Sequence, residues 1–347
     1  MVCASLGGES VVSTAIVHTL PEEEWRRFVD EHPHGNIFHT PEMFQVFSRA
    51  KGYRPTLWAA VDSSHRPLAL FLPVQITLMG GLLRRFTTRA IAYGSVLCAP
   101  GPEGKEALAM LLRAYKQEVR GSILFTELRN LSDLSDIQPV LNESGFVYEG
   151  HLNFLIDLTR PCGEIWQNIR ANARRNIRKA RSSQVEIKEA SDLDWVFSAY
   201  ALLSNTYKRL QVPLADHSLF QSAFEILHPQ NMLKIFVAKV GDIDAGVMML
   251  LTYKDIIYYW YTGTIREYAS YRAGDLLVWH ALEWGNQHGF HTLDFGGAGK
   301  PGEKYGVRDF KAKFGGTLVN YGRNICVHAP VRLRLSQMAY NVVRRFL

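Results

Sequence analysis

The chain has 347 residues, 47% hydrophobic and 21% charged, an ordinary globular composition that excludes extended disorder and favours two domains over one core. A formal charge of +6 favours an anionic partner, whether phosphorylated substrate, nucleic acid or membrane surface, although the excess is small for this size. Scattered cysteines without a CxxC pair, no HExxH, no secretory leader and no run of about 20 apolar residues exclude a zinc site, a disulfide framework and a membrane span, so a cytoplasmic protein without a metal is expected.

The first half opens with a strand-like run at 11–17. Pro21 followed by Glu22, Glu23 and Glu24 predicts a helix start. A turn at 32–36 leads into a second helix at 41–50, and strands are expected at 56–61, 68–76 and 89–96. Residues 101–120 carry Leu108, Leu111, Leu112 and Tyr115 on one helical face. Strands at 123–128 and 145–157 complete this half.

The second half uses the same grammar. Helices are expected at 164–181 and 191–210, strands at 233–240, 245–253 and 256–262, then a helix at 274–288 and a strand at 292–295. Helix, helix, antiparallel strands, helix, strand thus runs twice without a residue-level repeat. The expected fold class is α+β: two domains, 1–160 and 161–324, each a mainly antiparallel twisted sheet flanked by helices. The tail 325–347 should pack back on the first. Its basic helix at 331–347, with Leu333, Leu335, Met338, Val342 and Phe346, could instead touch a membrane surface.

On a 3.6-residue period, Ile165, Ile169, Ala173, Ile177 and Ala180 form one stripe of the helix at 164–181, and Arg170, Arg174, Arg178 and Arg181 an adjacent one within about 80°. Arginine suits bidentate capture of phosphate or carboxylate. The plain alternative is a solvated face.

Further on, the aromatic strand ending in Tyr261, Thr262 and Gly263 runs through a loop at 264–273, containing Arg272, into the helix at Gly274. Strand, glycine and helix N-terminus can face a pyrophosphate or an acyl carbonyl. Only Arg272 and Gly274 stand where acetyl-CoA binders carry a glycine-rich loop, so a simple connection explains the segment equally well. Asp294 sits near the end of a strand that stops at Gly296 and Gly297, as a base or as a turn residue. In the run from Tyr305 to Gly316, period two puts Lys311 and Lys313 on the face opposite Phe310, Ala312 and Phe314. Such a lysine could stabilise an oxyanion or merely guard a sheet edge.

Together these segments resemble the Fem (FemABX) family of peptidoglycan interpeptide-bridge aminoacyltransferases and their relatives among GNAT-superfamily N-acyltransferases. The resemblance runs over nearly the whole chain: 35–44 is similar to the family's N-terminal start, 174–180 to its R-x-N-I-R-K-A helix, 268–288 to its second-domain helix, 294–297 to DFGG, and 310–315 to F-K-x-x-F-G. It departs where the family's usual tryptophan is Phe44, and it leaves no room for the coiled-coil arm of the staphylococcal type.

The resemblance implies two GNAT-like domains and transfer of an acyl or aminoacyl group to an amine. The donor would be aminoacyl-tRNA and the acceptor a phosphorylated cell-wall precursor, with no tightly bound cofactor. It gives Lys311 an active-site candidacy and places Lys51 near the acceptor's phosphates. On the combined reading Lys311 stabilises the oxyanion and Asp294 is the base. Arg170, Arg174, Arg178, Lys51, Tyr261, Arg272 and Tyr305 bind substrate. Two alternatives stay open: an acyl-CoA-dependent N-acyltransferase of surface-polysaccharide or lipid-linked glycan biosynthesis, and a non-catalytic protein binding RNA or another anion.

Overall fold

Pro73 decides how the first half is built. It has no amide hydrogen, and its carbonyl accepts from the Thr56 amide at 3.0 Å. The apolar run around it therefore does not stay one strand, as expected for 68–76. It forms two, Pro67–Phe71 and Val74–Thr77, which join different sheets. The computed structural model describes residues 14–77 and 80–343. The strand expected at 11–17 is seen as Ala15–Val17, its first three residues lying outside the described range. The run 89–96 is likewise divided, into Thr88–Ala92 and Val96–Cys98, by a turn with Ser95 at φ 70°.

One sheet of the first half orders Ala15–Val17, Trp58–Val61, Pro67–Phe71 and Val96–Cys98, all antiparallel. Helix Pro102–Val119 lays Leu108, Leu111, Leu112 and Tyr115 against it, all fully buried, as the helical period predicts. The other sheet orders Tyr53–Pro55, Val74–Thr77, Thr88–Ala92, Phe125–Arg129, Arg323–Val327 and Val147–Glu149.

The second half is built on a seven-stranded sheet in the order Glu186–Glu189, Leu233–Val240, Ile243–Tyr253, Ile256–Thr264, Thr292–Gly297, Asn153–Asp157 and Thr317–Val319. Neighbours are antiparallel except Ile256–Thr264 with Thr292–Gly297. Helices Ala171–Ser182 and Ala273–Gln287 cover one face through Ile177, Leu277 and Leu282. Leu193–Arg209 and His217–Leu227, the latter not anticipated from sequence, cover the other through Leu203, Phe220 and Leu227. That second core continues into Ile37, Met43, Val46 and Phe47 of the first half, so the two halves share apolar surface.

The expected division at 160 does not coincide with the division in space. Strand Asn153–Asp157 precedes it in sequence but pairs with Thr292–Gly297 and Thr317–Val319 of the second sheet. The single strand expected at 145–157 is accordingly two, in two sheets. Conversely, Arg323–Val327 returns to the first half and inserts between Phe125–Arg129 and Val147–Glu149. Backbone pairing, not chain position, assigns these strands. The tail forms helix Pro330–Val343, with 344–347 and hence Phe346 outside the described residues. The α+β class with mainly antiparallel, helix-flanked sheets is as expected. Among the described residues no helix is long and apolar enough to cross a membrane.

Candidate active site

Two parallel strands come apart at the centre of the second sheet. Ile256–Thr264 and Thr292–Gly297 pair only through Ile256 with Thr292, Ile257 with Leu293 and Tyr258 with Asp294. Beyond that point the first strand continues to Thr264 along Ile243–Tyr253, while the second ends in two glycines. Tyr259, Phe295 and Lys311 fill the wedge, with the Lys311 ammonium 5.7 Å from each ring centroid.

Lys311 reaches this position from a helix, which corrects the strand expected at 310–314. The segment runs as helix Gly306–Lys311 and a 3-10 turn Ala312–Phe314. Phe310 and Phe314 are four residues apart, a spacing that suits one helical face as well as strand alternation, and their rings meet at 5.3 Å. The helix turns Lys311 inward, to 6% exposure, and separates it from Lys313, which lies over the Phe310 ring at 5.4 Å. Arg308 holds the approach to this helix by donating to the carbonyls of Ala298 at 2.8 Å, Glu303 at 2.9 Å and Lys300.

The Lys311 ammonium donates to the carbonyls of Phe295 and, at 2.9 Å, Gly297. Between them the amide of Gly296 donates to the Asp294 carboxylate at 2.7 Å, and Asn153 Nδ2 adds a longer bond at 3.4 Å. Burial pushes the Asp294 carboxyl up to about 6, against the pull of the Gly296 amide and Lys311. Burial pulls the Lys311 ammonium down to about 8, with Asp294 opposing. Two groups titrating on either side of neutrality suit general acid–base work and charge stabilisation.

Asp294 opens into a cleft of about 330 Å³ between the halves, lined by Phe38, Tyr93, Arg129 and Asn130 from the first and Tyr258–Tyr261, Gly296 and Gly297 from the second. Lys311 lies behind that lining. Gly296, at φ 69°, leaves the way open: a β-carbon there would stand 3.6 Å from the Tyr259 carbonyl and 4.0 Å from Lys311 Nζ.

The other wall of the cleft carries a charge network that sequence reasoning missed. Glu127 accepts from Arg129 Nε at 2.6 Å and Arg323 Nη1 at 2.9 Å, and Arg323 Nη2 donates to His151 Nε2 at 2.9 Å. Although burial opposes it, the two arginines hold Glu127 below the usual carboxylate range. Burial and Arg323 bring His151 down to about 4, so its ring is neutral near pH 7 and free to accept. Arg129 lies over the Tyr93 ring at 5.1 Å, and its terminal nitrogens have no hydrogen bond among the described residues. One carboxylate between two guanidinium groups leaves a net positive wall. The period-two placement of Glu127 and Arg129 on one strand face was a usable signal, but nothing local marked Arg323 or His151.

The expected binding residues scatter. Tyr261 lines the cleft, half-buried against Tyr207 and Phe220. Arg272 lines a separate cavity of about 280 Å³ at the start of helix Ala273–Gln287, with Thr262–Ile265, Asp275 and Phe310. Tyr259 borders both spaces. Tyr305 stands, 41% exposed, against Gly299. Lys51 lies at the surface, its amide bonded to the Ser218 hydroxyl at 2.8 Å.

The helix expected at 164–181 is two, Cys162–Asn168 and Ala171–Ser182. Ile169 and Arg170 between them are extended, and the Arg170 amide donates to the Lys313 carbonyl at 2.8 Å. The apolar stripe is buried as anticipated, but the arginine row is interrupted. Arg170 leaves it, Arg174 bonds the Gln167 carbonyl at 3.2 Å, Arg178 lies over Trp166 at 5.6 Å and Arg181 pairs with Glu283 at 3.4 Å. None of the four lines either cavity described above.

Residues 167–311 match the acetyltransferase (GNAT) domain family. The whole fold is similar to the crystal structure of FemX, at TM-score 0.69 and 15% identity over 95% of this chain and 99% of that one. It is also similar to L-PGS from Bacillus licheniformis (TM-score 0.57, 13% identity, 91% and 96%) and to a tandem GNAT protein from the clavulanic acid biosynthesis pathway (0.56, 11%, 92% and 99%). No curated protein matches the sequence. The chain thus carries a GNAT acetyltransferase domain within a two-domain GNAT-like fold of the kind seen in FemX, and it is an acyltransferase.

Proposed function

We propose that the protein transfers an aminoacyl group from the ester of charged tRNA to a primary amine on a phosphorylated cell-wall precursor, forming an amide. The observation that carries this reading is the pair at Gly296, a carboxyl facing the cleft and an ammonium behind the same residue. The amine nitrogen attacks the ester carbonyl, and an oxyanion forms as the new C–N bond is made. Asp294, ionised above about 6, takes the proton that the nitrogen must lose. Lys311, protonated below about 8, offers its field to the oxyanion across the gap at Gly296. The C–O bond then breaks, and the ribose oxygen leaves as a hydroxyl with the proton that Asp294 took, which restores the carboxylate. Arg129 and Arg323 supply the positive wall for the acceptor's anion.

The fold shared with FemX and L-PGS supports aminoacyl transfer. So does the second cavity, where a buried carboxylate, Asp275, stands beside Arg272 and makes a poor cradle for a pyrophosphate. The family match to an acetyltransferase domain favours a second reading, acyl-CoA-dependent transfer to an amine of a lipid-linked glycan. Incubating the protein with charged tRNA or with acetyl-CoA, each beside an amine-bearing cell-wall precursor, separates the two. Amide formation from charged tRNA alone supports the first reading, and formation from acetyl-CoA alone replaces it with the second. Tight RNA binding without product from either donor, unchanged in Lys311→Met, would favour a binding protein instead.

A further inference from the structure

The C-terminal helix Pro330–Val343 is amphipathic in the sense opposite to a packed helix. Val331, Leu335 and Met338 recur at i, i+4 and i+7 and so share one stripe, yet they are 70%, 51% and 63% exposed. The other side of the helix is the one that meets protein. Arg332 donates to the Arg85 carbonyl at 3.4 Å, Leu333 and Ser336 are half-buried, and the helix packs on the short helix Arg84–Thr87. Beside that short helix, Leu83 is 49% exposed as well.

Charge distinguishes this surface from an ordinary greasy patch. The sequence has no aspartate or glutamate after Asp309, and none between Asp62 and Glu103. Arg84, Arg85 and Arg334, all exposed, therefore accompany the apolar stripe without an acid from either segment to neutralise them.

We propose that this face docks on a membrane surface rich in anionic lipid, the aliphatic stripe entering the headgroup boundary and the arginines engaging lipid phosphates. A second copy of the chain is a poorer occupant, because an isologous contact would set these arginines against their own copies. RNA is poorer too, since a phosphate backbone leaves three aliphatic side chains uncovered. The docking face is independent of the acyl-transfer reading and stands or falls without it.

The test is cosedimentation of the full chain with vesicles of phosphatidylglycerol mixed into phosphatidylcholine, against vesicles of phosphatidylcholine alone. Partition at least roughly tenfold stronger into the anionic vesicles is expected, weakening as salt is raised. The double variant Leu335→Asp/Met338→Asp should lose binding by a similar factor. Arg84→Gln/Arg334→Gln should lose the preference for anionic lipid while keeping the wild-type circular dichroism spectrum. Equal partition into both vesicles, or none into either, would overturn the proposal. So would a dimer in light scattering that Leu335→Asp dissociates, which would assign the stripe to a second copy.

Discussion

Lys311 and Asp294 hold one glycine between them. The lysine donates to the carbonyls of Phe295 and Gly297, and the aspartate accepts the amide of Gly296. Each charge fixes the backbone that carries the other group's partners. Burial brings their titrations to about 8 and about 6, either side of neutral pH.

The rate should therefore follow a bell in pH, rising through about 6 as Asp294 ionises and falling through about 8 as Lys311 deprotonates. Asp294→Asn should lower kcat by about 10²–10⁴ and remove the acid limb. Lys311→Met should lower it by about 10²–10³ and remove the alkaline limb. Initial rates across pH for the three proteins check this, and an alkaline limb persisting in Lys311→Met would take Lys311 out of the reaction.

The same shifts set stability against pH. Folded Lys311 titrates near 8 and the unfolded side chain near 10.5, so the unfolded chain binds more protons in that window and stability rises with pH across it. Asp294 acts in the opposite sense between 3.8 and about 6, where the folded chain holds the proton and stability falls as pH rises. The wild type's denaturant midpoint should therefore gain on that of Lys311→Met as pH is raised from about 8 to 10.

Gly296→Val should cost activity out of proportion to stability. The left-handed backbone at φ 69° disfavours any side chain by about 1–2 kcal/mol, a moderate loss measurable in urea. The larger effect is steric, because the new side chain would stand between the cleft and Lys311 Nζ. A fall of about tenfold or more in kcat is expected with the fold intact.

Replacing Arg129 by Gln should act on binding and spare the chemistry. Arg129 lines the cleft with terminal nitrogens that have no hydrogen bond among the described residues, while Nε is held by Glu127. The KM for an anionic acceptor should rise by about 10–100-fold with kcat little changed, since a contact made equally in ground and transition states affects only KM. An uncharged amine acceptor should be indifferent to the substitution, and steady-state kinetics with both acceptors decide the matter.

Asn324 ties the returning strand to the first half. Fully buried, it accepts from Asn130 Nδ2 at 2.8 Å and donates to Gln138 Oε1 at 3.0 Å, while Asn130 also reaches the Tyr321 carbonyl at 2.9 Å. Asn324→Ala should cost about 1–3 kcal/mol by leaving buried partners unsatisfied. A urea midpoint lowered without a change in slope would register the loss.

The sequence by itself determined the elements whose signals are local. The faces of 101–120 and of Ile165 to Ala180, the long second-half strands, and the order of Fem-like segments were all legible, because side-chain periodicity and short motifs lie within a few residues of one another. Where two periods fit equally, the sequence was silent. Phe310 and Phe314 satisfy a strand and a helix alike, and only packing around the wedge made the segment helical and turned Lys311 inward. Tertiary structure alone decided that Ile169 and Arg170 break the arginine helix, through a backbone bond to Lys313. It alone joined Glu127 to Arg323 across 196 residues, and sent Arg323–Val327 back into the first sheet. The physical reason is that strand pairing and ion pairing depend on which segments fold next to one another, a property of the closed chain that no local window contains.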